Sequence, residues 1–234
     1  MRKKTLFPDR NRQSFRMRMI IGYFGVWVLL TYLNVVSAII GSYLALTGQL
    51  GYAILCLMIC GFCDMFDGPV ARMRKRTGKE EGYGIQIDAL ADIVSFGVFP
   101  VVLGYSIDAH LFFNQYVSFG VVISIAIAAV FILAGVTRLA YFTVIEIELY
   151  NRKEKRLYYE GMPVTFVAIL IPLVYTVCTF FGIEFPSVYN FILLIFALAF
   201  VIRMRIPKVG GRTLLFFIPI GLPIAVYLIW SIVA

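Results

Sequence analysis

Long uncharged runs alternate with short, strongly basic ones along this chain. No charge interrupts Ile20 to Cys63, and further uncharged stretches cover 93–107, 109–137, 161–183, 185–202 and 213–234. A bilayer core takes about 20 helical residues, so the first run holds two helices, split at Thr47-Gly48-Gln49. Lipid offers no partner to a free backbone N–H or C=O, which makes helix the default for such segments. Allowing a few functional charges inside helices, the pattern predicts spans at 24–46, 50–73, 84–106, 116–143, 162–182, 187–204 and 212–233, with Pro163, Pro172 and Pro219 blurring the last boundaries. The expected fold class is all-α: a polytopic transmembrane bundle of about seven spans.

Composition narrows the picture. The 234 residues are 61% hydrophobic and 15% charged, whereas a soluble domain carries about a quarter charged residues. One membrane domain over 24–234 is therefore expected, with no soluble domain beside it. Under seven spans, all 21 Lys and Arg fall on one side. They occupy the N-terminus (Arg2 to Arg18), the connection from Arg72 to Lys79, the connection from Arg152 to Arg156 with Arg138 nearby, and the run from Arg203 to Arg212. Basic residues mark the cytoplasmic face, so the N-terminus and the basic loops are expected there, in a multi-pass protein of the cell membrane. The net charge of +8 is then a membrane-surface feature and calls for no nucleic acid. Residues 1–23 read as a basic amphipathic helix lying on the anionic inner leaflet. The four cysteines, including Cys60 and Cys63, lack the ligand number of a zinc site and read as packing.

Acidic residues inside a span are costly and functional by default. Asp64, Asp67, Asp88 and Asp92 are such residues. At about 100° per residue, Asp64, Asp67, Gly68 and Ala71 share one face of span 2. Gly84, Asp88 and Asp92 share one face of span 3. A short basic loop makes the two helices antiparallel neighbours, so their acidic faces can meet. Four ionised carboxylates need cations to coexist, and oxygen donors suit Mg²⁺ or Mn²⁺. Two such ions about 3.5–4 Å apart form a clamp for phosphoryl chemistry. Gly68, Ala71 and Gly84 leave a hollow beside the carboxylates, and Arg72 can pair with a phosphate. A cation transporter that uses the aspartates as a relay shares the burial signature, but has no need of that hollow.

The order D-x-x-D-G-x-x-A-R followed by G-x-x-x-D-x-x-x-D, here Asp64, Asp67, Gly68, Ala71, Arg72, Gly84, Asp88 and Asp92, resembles the signature of the CDP-alcohol phosphotransferases. The gap between Arg72 and Gly84 is three residues longer than in the usual form. The run Asp88-Ala-Leu-Ala-Asp92-Ile-Val-Ser95-Phe96-Gly97-Val-Phe-Pro100 is similar to that of the serine-accepting branch, as are Leu30-Thr31-Tyr-Leu-Asn34, Thr137-Arg138-Leu139-Ala140 and Gly161-Met-Pro163. Tyr141 stands where that branch has a second arginine. The resemblance implies transfer of a phosphatidyl group from CDP-diacylglycerol, a membrane lipid, to L-serine with release of CMP. Asp64, Asp67 and Asp88 would hold two divalent ions. Asp92 would be both ligand and general base. Asp67, Gly68, Ala71, Arg72 and Gly84 would bind the CDP moiety, and the protein would be a homodimer.

An acceptor with a carboxylate needs a cation. Arg138, at the cytoplasmic end of span 4, is the best placed, although a charge snorkelling to the interface explains it equally well. Ser95, one turn beyond Asp92, is a candidate lining residue of the acceptor pocket. His110 is expected in an external loop, solvated. Glycerol 3-phosphate, inositol phosphate or another alcohol remains an alternative acceptor, and an ether lipid an alternative donor. The loss of a cation at Tyr141 favours an unphosphorylated acceptor. The last two spans carry no motif and read as packing and lipid contact.

Overall fold

The computed structural model describes residues 22–23, 25–73, 77–107, 119–152, 158–203, 205–207 and 213–233. Apart from Gly22 and Tyr23, the amphipathic segment expected at 1–23 lies outside the described residues, as do His110 and the side chain of Arg72.

Helices appear in the predicted order. α1 (Val26–Leu46) and α2 (Leu50–Arg72) are joined by the expected break. Gly48 there takes φ +81, and Gln49 N–H donates to Leu44 O at 2.9 Å. This is a left-handed cap that a side chain would strain. α3 (Gly78–Asp92) begins at Gly78 and not at 84. Thr77 explains the extension: Glu80 N–H donates to its hydroxyl, while Thr77 N–H donates to the Glu80 carboxylate at 2.8 Å. Such a reciprocal cap stabilises a helix start by about 1 kcal/mol.

α3 continues without a break into a π-helical turn, Ile93–Val98, and then α4 (Phe99–Ile107). The widened turn lies directly before Pro100. A proline in a regular helix clashes with the carbonyl four residues back, here that of Phe96, and a π turn relieves that crowding. α5 (Phe119–Arg152) runs on past the predicted end at 143. At 1.5 Å per residue it is about 51 Å long, well beyond the roughly 30 Å hydrocarbon core. A 3-10 turn at Val164–Phe166 leads into α6 (Val167–Phe181), followed by α7 (Phe185–Val201) and α8 (Thr213–Val233). Five of these rods are long and apolar enough to cross a membrane, and apolar stretches of α7 and α8 are shorter. The protein is a polytopic helical membrane bundle. One feature escaped the hydrophobic pattern: β1 (Tyr158–Glu160) pairs antiparallel with β2 (Arg205–Pro207), with Tyr159 opposite Ile206.

Lipid supplies no hydrophobic drive between helices, so close packing decides the contacts and small residues favour it. α1 packs most extensively on α2, and α5 on α7. At Gly41 an added Cβ would collide with the Phe99 ring and the Cys56 side chain; at Gly61 it would come within 2.5 Å of the Ala168 methyl. Buried Phe96, Phe99, Phe131 and Tyr189 fill the centre. The Tyr189 hydroxyl donates to Pro100 O at 2.7 Å, which satisfies a polar group deep in the bundle.

Candidate active site

Asp64 lies eight residues before the end of α2, and Asp92 ends α3. Two antiparallel helices bring these positions level only if α3 starts about 9 Å beyond the end of α2, at 1.5 Å per residue. The acidic faces meet as the spacing requires. One carboxylate oxygen each from Asp64, Asp88 and Asp92 lies within 4.8 Å of the others. Asp64 also faces Asp92, and Asp67 faces Asp88, at side-chain hydrogen-bonding range. Asp67 stands outside the close trio.

Asp67 Oδ2, Asp88 Oδ1 and Asp92 Oδ1 are buried and have no hydrogen-bond partner. Buried polar atoms are almost always satisfied, and orphaned carboxylate oxygens in and beside a close trio of aspartates fit a hard cation with oxygen ligands. This cluster can hold a divalent metal.

Gly68, Ala71 and Gly84 are half-buried along the same two helices, and Arg72 closes α2. Ser95 is fully buried in the π turn. The widened turn changes its offset from Asp92, and its hydroxyl lies beside Cys60 on α2. Arg138 is only 7% exposed. Its guanidinium sits 4.4 Å from the Phe142 ring centroid and 5.9 Å from that of Phe200, in cation–π range of both. It is thus covered by protein, not extended along an apolar surface. Gly161, with φ +83, crosses close by: a Cβ there would lie 3.2 Å from Ile202 O and 3.9 Å from Arg138 Nε. A narrow seam runs beside Asp92, bordered by Gly97, Gly135, Leu139, Val164 and Phe200. It encloses no space for a water molecule.

Sequence reasoning missed one residue. Thr165, in the 3-10 turn, donates its hydroxyl to Asp64 Oδ2 at 2.9 Å. It lies 101 residues from Asp64 in the chain, and no local spacing announces it.

A family model for CDP-alcohol phosphatidyltransferase matches residues 28–203, three quarters of the chain. The chain belongs to the CDP-alcohol phosphatidyltransferase family. This family chemistry, phosphoryl transfer from a CDP-linked donor, suits the carboxylate cluster. Among similar proteins, a CDP-diacylglycerol–serine O-phosphatidyltransferase of Saccharomyces cerevisiae is 33% identical over 135 residues, which is 56% of this chain and 44% of that protein. An archaetidylserine synthase of Methanothermobacter thermautotrophicus is 29% identical over 185 residues, covering 78% of this chain and 70% of the relative. A CDP-diacylglycerol–serine O-phosphatidyltransferase of Helicobacter pylori is 34% identical over 110 residues. The chain spans less than half the length of the yeast and Helicobacter proteins.

Proposed function

We propose that this family member transfers the phosphatidyl group of CDP-diacylglycerol to the hydroxyl of L-serine, forming phosphatidylserine and CMP. The observation that carries the reading is the meeting of four intramembrane aspartates with three orphaned oxygens, in a family that handles CDP-linked donors. Serine as acceptor rests on the names of the similar proteins, which share it.

In this reading Asp64, Asp67, Asp88 and Asp92 hold two divalent ions, Mg²⁺ or Mn²⁺, which supply charge neutralisation at the diphosphate and the leaving group. Asp67, Gly68, Ala71, Arg72 and Gly84 hold the CDP moiety, and the acyl chains stay in lipid. Asp92 takes the proton of the serine hydroxyl as its oxygen attacks the phosphorus that bears diacylglycerol. The bond from that phosphorus to the CMP oxygen breaks, and CMP leaves. Arg138 receives the serine carboxylate through a charge-assisted contact, and Ser95 shapes the acceptor side through its place in the π turn. The seam beside Asp92 opens as the acceptor enters. Residues 1–23 form an interfacial helix ahead of a 24–234 catalytic domain, the active site faces the cytoplasm, and the protein works as a homodimer in the cell membrane.

The test is CMP release by purified protein from CDP-diacylglycerol, with serine, glycerol 3-phosphate or inositol phosphate as acceptor. Serine alone should support turnover, EDTA should abolish it, and Mg²⁺ or Mn²⁺ should restore it. Turnover with glycerol 3-phosphate and not serine rejects the acceptor. Full activity in EDTA rejects the metals. A second donor merits a parallel arm, because the archaetidylserine synthase match covers the most chain of the three: CDP-archaeol in place of the diacyl lipid.

A further inference from the structure

Several hydroxyls of this bundle bond locally, and Thr165 does not. Ser42, Thr137, Thr143 and Thr179 each donate to the carbonyl four residues back, at 2.8–2.9 Å. That local bond is the usual fate of a helical Ser or Thr away from water. Thr165 stands at the second residue of its turn, so the carbonyl four residues back belongs to Gly161, outside any helix. Its hydroxyl reaches Asp64 Oδ2 on α2 instead.

The backbone that carries Thr165 is pinned at both ends. Pro163, the residue before the turn, fixes φ at −57 with ψ 137, and Phe166 N–H donates to Pro163 O at 3.1 Å. Upstream, Gly161 is lodged against the carbonyls of Phe200 and Ile202 at the end of α7. A six-residue strap from Gly161 to Phe166 therefore runs from the surroundings of Arg138 to the first aspartate.

Asp64 needs such an anchor. Its carboxylate sits among those of Asp88 and Asp92, and like charges push one another off any shared point. A donor on one oxygen fixes the rotation of the group. Partners of this kind orient metal ligands and are worth about 10–100-fold in metal affinity.

We propose that Thr165 is a positioning residue for the metal centre, holding the Asp64 carboxylate through Oδ2. The inference rests on the reading of the aspartates as divalent-ion ligands, and is independent of the acceptor alcohol.

The experiment is a titration of the purified full-length protein with Mn²⁺, without lipid or serine, with free Mn²⁺ read by electron paramagnetic resonance. Thr165→Val keeps the shape and removes the donor; it should weaken Mn²⁺ binding about 10–100-fold in a metal-free protein that still unfolds cooperatively on heating. Thr165→Ser keeps the donor and should bind close to wild type. Wild-type affinity in folded Thr165→Val overturns the proposal. If that variant does not fold, Thr165→Ala replaces it with the same two outcomes. In an Asp64→Asn background, Thr165→Val should bring no further loss; a second loss of equal size overturns the proposal. Absence of Mn²⁺ binding by the wild-type protein overturns it together with the metal reading. Wild-type binding that Thr165→Val weakens, in a protein that makes no phosphatidylserine, supports it and rejects only the acceptor.

Discussion

α2 and α8 are of nearly equal length, 23 and 21 residues, and both contain proline. Yet they serve the bundle differently. α2 is contacted by α1, α4, α6 and α8, and buries Ala53, Ile54, Leu57, Cys60, Cys63 and Asp67 along its length. Among its described side chains, α8 buries only Ile224 and Leu228, while Leu222, Val226 and Trp230 stay exposed. Both are apolar, α8 more uniformly so, and yet it is α2 that is packed on several sides. What separates them is polar content at buried positions. In lipid an apolar side chain gains little by leaving the surface, so close packing and polar contacts select neighbours. α2 carries carboxylates that must be matched by α3 and Thr165, and its surroundings are correspondingly fixed. α8 carries none.

The sharpest way to break this contrast is Asp92→Asn. It removes the proposed base and one ligand, and base catalysis alone contributes about 10²–10⁴-fold. CMP release should fall by at least that much. Metal-free thermal stability should hold or rise, because one of several crowded like charges is gone. Unchanged turnover would reduce Asp92 to a structural residue.

A smaller loss is expected from Arg138→Lys, which keeps the charge but loses the planar fork. Losing a contact to an ionised group costs about 1.5–3 kcal/mol, roughly ten- to a hundredfold. The KM for serine should rise by that factor, and the KM for CDP-diacylglycerol should not. Equal changes in both would place Arg138 in general packing with Phe142 and Phe200.

Smaller again is Gly135→Ala. A Cβ there meets nothing within 4 Å, so the helix should gain about 0.5–1 kcal/mol, read by thermal unfolding. Gly135→Leu puts bulk at the border of the seam beside Asp92, where the acceptor is proposed to enter, and should raise the serine KM. A Leu variant with wild-type kinetics would show that the acceptor enters elsewhere.

The least effect belongs to α8. Leu222→Ala, at a side chain 63% exposed, should change stability by less than about 0.5 kcal/mol and leave turnover alone. A large loss would mean that α8 faces protein there, not lipid.

Much of this was legible in the sequence, because the membrane limits the choices. Uncharged runs marked the described helices in order, and the spacing of Asp64, Asp67, Asp88 and Asp92 put them on facing sides. What stayed hidden depends on contacts between distant segments. Thr165 meets Asp64 only after α6 packs on α2. The burial of Arg138 needs Phe200, from α7. The paired strands are three residues each, in loops 45 residues apart at their closest register, and no periodicity marks so short an element. The π turn had a visible cause in Pro100, but a proline alone does not say whether a helix kinks, ends or widens. The extension of α3 was written in Thr77 and Glu80, a reciprocal cap that the basic loop concealed.

The strap from Gly161 to Phe166 also sets a schedule. The four aspartates have all been synthesised by residue 92, and Arg138 follows soon after. Gly161, however, lodges against carbonyls of Phe200 and Ile202, about 40 residues later. At roughly 5–20 residues per second this is a delay of about 2–8 s. During that interval the carboxylates exist before the strap that reaches Asp64 is locked in place, so the site is completed from its far end, by a helix that contributes no ligand.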